Sequence, residues 1–250
     1  TTTAIKDGEE YVINGRKMYV TNGEHGNAFA LVAKTDPDIS PRHKGISCFI
    51  FEKPSKGFKV GQHLDKLGYR GLDTCELVFD NCRITADSLI GGVEGKGFGQ
   101  VMNGLETGRI NVAARAVGVA QAALDSALSY SQRRETFGKP IAQHQTISNY
   151  LADMALRIDA ARLQVYKAAW SKMKHYEENG DRHTLEASFA KLNAGDTAMW
   201  VSEKAVQILG GYGYTTEFPV ERFFRDAKIT QIYEGTQEVQ RLVIAREIGK

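Results

Sequence analysis

An α+β architecture, a small antiparallel β-barrel or sandwich followed by an antiparallel four-helix bundle, is predicted by three features of the sequence. Short β-branched and aromatic runs parted by Pro- and Gly-bearing turns fill the first third. Glycines crowd at residues 91–99, where the strand signal stops. Beyond them apolar residues recur at helical spacing over long stretches.

Taken in order, Tyr11-Val12-Ile13 and the run from Lys17 to Thr21 flank Asn14-Gly15, two residues that tolerate positive φ, so a type I′ hairpin is expected there. Strands follow at residues 29–34, 46–52, 58–60 and 75–79, too short and too closely spaced for intervening helices. The glycine-rich stretch carries no βαβ context and reads as a flexible linker, which places the domain boundary at 1–90 and 91–250. A helix rich in alanine is expected from about Gly99 to Tyr130. A second carries the stripe Ile147, Leu151, Met154, Ile158, Ala161, Val165, Ala168, and a third the stripe Ala194, Ala198, Val201, Ala205, Ile208. A fourth follows Glu234, with Val239, Leu242, Val243 and Arg246 in helical register. Asp196, beside the third stripe, reads as a polar residue with partners on neighbouring elements.

Composition narrows the function. The 250 residues are 42% hydrophobic and 25% charged, with a formal net charge of +2 and no polybasic tract, so neither nucleic acid nor an anionic membrane is implied as partner. No apolar run approaches the length of a membrane span, and the start has no signal-peptide character, so a cytoplasmic or organelle-matrix protein is expected, the bacterial cytoplasm or the mitochondrial matrix once the resemblance given below is added. Cys48, Cys75 and Cys82 lack metal-ligand or CxxC spacing and read as structural thiols; no metal site is expected.

One carboxylate stands out. Glu234 lies between an aromatic and a glycine, on the turn entering the last helix. Gly235 lets the backbone approach a ligand closely, and the free N–H groups of a helix start can polarise an oxygen beside the carboxylate. The same residue type also serves helix starts through the dipole. Its neighbourhood carries further motifs: Gln207-Ile208-Leu209-Gly210-Gly211-Tyr212-Gly213-Tyr214, Glu217-Phe218-Pro219-Val220-Glu221-Arg222, Arg225-Asp226-Ala227-Lys228-Ile229 and Ile232-Tyr233-Glu234-Gly235-Thr236. Upstream stand Arg133-Arg134-Glu135-Thr136-Phe137-Gly138 and Met18-Tyr19-Val20-Thr21-Asn22. This succession resembles the acyl-CoA dehydrogenases across essentially the whole chain.

The resemblance implies a middle β domain and a C-terminal helical domain, and that the sequence starts after the family's N-terminal helical domain, as a fragment would. It implies FAD as cofactor, because no side chain accepts a hydride, and α,β-dehydrogenation of a saturated acyl-CoA to the trans-2-enoyl-CoA with Glu234 as base. Gly108 occupies the slot before Arg109 where a minority of the family carries its base. Tyr19, where many members carry Trp, and Thr21 are expected to face the flavin ring. Arg134, Thr136 and Phe137 match positions that reach a neighbouring subunit's flavin, and His144, Gln145, Gln207, Gly210, Gly211, Thr236 and Glu238 match further flavin contacts. Glu106, Arg109, Tyr233, Gly235 and Arg246 match positions on the acyl-CoA side. Implied partners are an electron-transfer flavoprotein and copies of the same chain, as a dimer of dimers. Two other readings stand beside this one: an acyl-CoA oxidase using oxygen, and a non-catalytic oligomeric interaction module.

Overall fold

The computed structural model describes residues 2–178 and 183–249, with side chains described outside residues 175–178. The chain divides into two compact units, Thr1–Gly104 and Leu105–Lys250. A sheet followed by a helical region is the class that the sequence predicts.

The first unit is one six-stranded sheet of β1 (Thr3–Asp7), β2 (Glu10–Thr21), β3 (Ala28–Lys34), β4 (Ile46–Glu52), β5 (Phe58–His63) and β6 (Thr74–Thr85). The spatial order is β4-β3-β1-β2-β6-β5, antiparallel throughout except where Thr3 of β1 meets Lys34 of β3 in parallel. β4 and β5 lie at opposite ends of that order, yet the rings of Phe51 and Phe58 are 5.0 Å apart and Phe51 also meets Phe79 at 5.2 Å. The sheet therefore curls until its edges share one aromatic core, as a barrel does. Cys48, Cys75 and Cys82 are buried within this unit.

Two expectations are corrected here. Asn14-Gly15 makes no hairpin; both residues lie inside the single strand β2, and the hairpin turn is at Gly8-Glu9, where Gly8 takes φ 62°. Asn14 instead marks a β-bulge. Between the pairs Ile13–Cys82 and Gly15–Phe79 the partner strand β6 carries one residue more than β2. Asn81 of that bulge sits at φ 49°, and its N–H donates to Asn14 Oδ1 at 2.8 Å. The glycine-rich stretch is likewise not a loose linker. A Cβ at Gly95 would stand 2.4 Å from the Lys44 carbonyl oxygen and one at Gly97 2.4 Å from the Ser47 carbonyl carbon. The glycines let this segment pack against the chain entering β4, and Ser47 Oγ accepts from the Gly95 N–H at 2.9 Å.

The second unit is helical: most of α1 (Gly97–Arg133), then α2 (Gln145–Glu178), α3 (Thr184–Leu209), α4 (Val220–Ala227) and α5 (Gln237–Ile248), with a small ladder of β7 (Glu135–Thr136) and β8 (Lys139–Pro140) between α1 and α2. The predicted stripes are buried: Met154, Ile158, Ala161, Val165 and Ala168 of α2 and Ala194, Ala198, Val201, Ala205 and Ile208 of α3. They share one apolar cluster with Ala113, Ala116, Ala120 and Ala123 of α1, and the small side chains let the helices approach closely. α4 was not expected. α5 packs on α3 with an inverted logic: Gln237 and Gln240 are its buried residues, while Val239 and Leu242 are exposed. Among the described residues no helix is long and apolar enough to cross a membrane.

Candidate active site

Glu234 sits in the loop between α4 and α5, at φ 55°, followed by Gly235 at φ 92°. A non-glycine residue in the left-handed region is strained unless its surroundings hold it there, and such strain gathers at functional sites. The holding groups are visible. Gln240 Nε2 donates to the carbonyls of Glu234 at 3.2 Å and Gly235 at 3.1 Å, and Arg109 Nε of α1 donates to the Glu234 carbonyl at 3.4 Å. Thr236 caps α5, its Oγ1 accepting from the Val239 N–H at 3.4 Å.

The carboxyl group itself is left open for chemistry. Glu234 Oε2 is buried without a hydrogen-bond partner among the described residues. Burial raises its pKa above the ordinary carboxylate value, while the charges of Arg109 and Lys191 oppose that rise. Gly108 faces this carboxylate across the site: a Cβ there would stand 2.5 Å from Oε2. Any larger residue at 108 would displace the group.

Beneath the loop lies a polar network on α3. Asp196 Oδ1 accepts from Gln231 Nε2 at 2.7 Å and Gln237 Nε2 at 2.9 Å, and Oδ2 pairs with Arg241 at 3.3 Å, so Asp196 has the neighbouring partners expected of it. Gln237 Nε2 also reaches the Leu192 carbonyl at 2.7 Å, and its Oε1 accepts from Lys191 Nζ at 3.0 Å. Lys191, Gln237 and Gln240 were not singled out by sequence reasoning. A signal for Lys191 was present: three residues before Ala194, it lies on the backward extension of the α3 stripe, where a lysine is out of place.

A second gathering of expected residues lies at the far end of the same helices. Arg134, Thr136, His144, Gly210 and Gly211 line one cavity of 690 Å³. Thr136 Oγ1 and His144 Nε2 are 3.0 Å apart. The β7–β8 turn holds Phe137 at φ 54° and Gly138 at φ 78°, leaving the Phe137 ring 97% exposed. A Cβ added at Gly210 or Gly211 would meet nothing within 4 Å, so these glycines leave the cavity wall as bare backbone. A guanidinium, hydroxyl and imidazole donors and bare backbone form a donor set that fits a phosphate-bearing, flat cofactor such as FAD. Gln145 opens α2 beside it, and the carbonyl of Gln207 accepts from the Gly210 N–H that ends α3.

The remaining expected residues are placed as follows. In the sheet unit, Tyr19 lies at a second bulge, where β2 carries one residue more than β6; it takes φ 60° and is 76% exposed, with Thr21 exposed nearby at the strand end. Glu106 is buried and accepts a hydrogen bond from Thr184 Oγ1, one α1 turn from the buried Arg109. Tyr233 is half-buried beside Glu234. Arg246 pairs with Glu247 at 2.9 Å, near the far end of α5 from Glu234. Glu238 is exposed, and hydrogen bonds from its own N–H and from Thr236 hold its pKa down.

Comparison with known proteins defines the class. Residues 95–249 match the family model for the acyl-CoA dehydrogenase C-terminal domain, and residues 1–82 that for the acyl-CoA dehydrogenase middle domain. The chain belongs to the acyl-CoA dehydrogenase family. It is 47% identical to the short-chain specific acyl-CoA dehydrogenase of Clostridium acetobutylicum over 99% of its own length and 63% of that protein. It is 46% identical to the human mitochondrial short-chain specific enzyme over 98% of its length and 58% of that protein. The solved structure of butyryl-CoA dehydrogenase from Megasphaera elsdenii superposes with a TM-score of 0.94 at 46% identity, over 100% of this chain and 63% of that one. The chain thus spans about three fifths of the length of these relatives. Acyl-CoA dehydrogenases of this family use FAD.

Proposed function

We propose that the chain supplies the middle β domain (residues 1–90) and C-terminal helical domain (residues 91–250) of an FAD-dependent acyl-CoA dehydrogenase that converts a short, saturated acyl-CoA to the trans-2-enoyl-CoA, with Glu234 abstracting the α-proton. The observation that carries this is the half-buried Glu234 carboxylate with a buried, unengaged Oε2, held by a strained turn and given room by Gly108. Burial raises its appetite for a proton, and the nearby charges of Arg109 and Lys191 oppose that rise. Its backbone N–H makes no hydrogen bond with another described residue and can donate to the thioester oxygen as charge develops there. Glu106, Arg109, Tyr233, Gly235 and Arg246 are assigned to the acyl-CoA side.

Bound FAD supplies the hydride acceptor that no side chain provides. Arg134 would pair with its pyrophosphate, and Thr136, Phe137, His144, Gln145, Gln207, Gly210 and Gly211 would complete that contact for a neighbouring copy of the chain. Tyr19 and Thr21 would lie along the ring, with Thr236 and Glu238 near the base. The assembly is a dimer of dimers, and the electron acceptor an electron-transfer flavoprotein.

The test is anaerobic reduction of the FAD-loaded chain by a series of saturated acyl-CoA esters, read as loss of flavin absorbance. Glu234→Gln keeps size and polarity but cannot accept the proton; it is expected to keep FAD and lose about 10²- to 10⁴-fold in reduction rate, the usual worth of a general base. Reduction within about tenfold of the parent would remove Glu234 from the role. Rapid turnover with oxygen as sole acceptor would instead favour an oxidase, and a chain that takes up no FAD an interaction module.

A further inference from the structure

We propose that Lys191 is a positioning residue for the proposed base: a buried cation, anchored in α3 and tied to α5 through Gln237, whose field opposes protonation of the Glu234 carboxylate. The inference rests on reading Glu234 as the base and adds the group that sets its charge.

Lys191 is 0% exposed. Its ammonium has one hydrogen-bond acceptor among the described residues, the neutral amide oxygen of Gln237 at 3.0 Å, and forms no ion pair with a described carboxylate. Such a cation is costly to bury, and an apolar residue of the same length would fill the space without that cost. Shape does not explain it. The groups around it do: Arg109 of α1, Asp196 of its own helix, Glu234 of the loop and Glu238 of α5 all act on it electrostatically, and Arg241 of α5 already occupies Asp196. Of these, Glu234 is the partly buried carboxylate with an unengaged oxygen.

The attachment is rigid. Gln237 is the first residue of α5, two beyond Gly235, and its side chain is gripped at both ends by Lys191, the Leu192 carbonyl and Asp196. One turn on along α3, Gly195 comes so close to Gln237 and Thr230 that a Cβ would stand 3.0 Å from Gln237 Nε2 and 3.1 Å from the Thr230 carbonyl oxygen. The loop carrying Glu234 therefore starts and ends on the helix that carries Lys191. Burial lowers the Lys191 pKa to about 8, which leaves the ammonium charged at neutral pH. The same burial pushes Glu234 upward against it. Removing the cation removes one of the two charges that oppose this rise.

The experiment follows the protonated-carboxyl infrared band of Glu234 in the 250-residue chain, identified by its absence in Glu234→Gln, as pH is varied without substrate. In Lys191→Met the titration is expected to move to higher pH, with far-ultraviolet circular dichroism unchanged and a melting temperature equal to or above the parent's. In the unsubstituted chain the Glu234 carboxylate band is expected to show a second step near pH 8, as Lys191 loses its proton. An unmoved titration in folded Lys191→Met overturns the proposal; if that variant does not fold, absence of the step in the unsubstituted chain does so. Failure of the base assignment itself reads differently, as flavin reduction in Glu234→Gln at the parental rate whatever the band does.

Discussion

A carboxyl group that burial makes harder to ionise works against the fold once the pH rises. Glu234 has its folded pKa raised, so its contribution to stability is fully present below the ordinary value of 4.5 and is lost as pH climbs through the raised folded value. Glu234→Gln, which carries no charge at any pH, is therefore expected to melt above the parent at pH 7 and to lose that advantage as the pH falls toward 4.5, checked by melting curves across that range. Lys191 runs the other way: with a pKa lowered to about 8, the unfolded chain binds more protons than the folded one between there and 10.5, and its penalty on stability shrinks as pH rises through that window. Glu234 was legible in the sequence because an aromatic, a glycine and a capping threonine bracket it within a specific motif. Gln240 was not, because its meaning lies in hydrogen bonds made across 6 positions of chain, and Lys191 shows locally only as a lysine out of place on the α3 stripe, its hydrogen-bond partner Gln237 lying 46 positions away.

At the level of elements, β2 shows what local reading gains and loses. Asn14-Gly15 has the residue preferences of a tight turn, but it lies inside a long strand opposite a bulge whose left-handed residue is Asn81 of β6, and only the pairing with β6 separates the two. The true hairpin at Gly8-Glu9 joins β1, a strand too short and too polar to signal itself. At its other end β2 holds Tyr19 in the left-handed region, which costs a residue with a Cβ about 1–2 kcal/mol. Tyr19→Asn, with a side chain that tolerates this conformation, is expected to leave the urea midpoint unchanged or raised while weakening FAD uptake, measured by flavin fluorescence; a plain loss of stability with FAD uptake intact would mean the ring serves packing instead. α5 was read with its faces reversed, since Val239 and Leu242 carry the hydrophobic signal but the buried side is polar, built around the Asp196 network.

Across the molecule, periodicity sufficed for the long helices α2 and α3 and their order, because each buries one continuous stripe and stripes are written in the sequence. α2 also carries a second stripe. Leu156, Leu163, Tyr166 and Trp170 recur at helical spacing and are exposed, an apolar face of the kind that partners cover. The proposed dimer of dimers would cover surfaces of this kind, and sedimentation at micromolar concentration is expected to show assemblies larger than one chain; a strict monomer would count against it.

The boundary between the two compact units falls at Gly104–Leu105, inside α1. Anyone wishing to dissect the chain would have to sever a continuous helix there, exposing four carbonyls on one piece and four N–H groups on the other with no partners. A cut ahead of Gly97 keeps the helix whole but removes the sheet unit's closing contact with Ser47. Either unit cut out as an interchangeable module should be expected to come out less stable than the chain it was taken from.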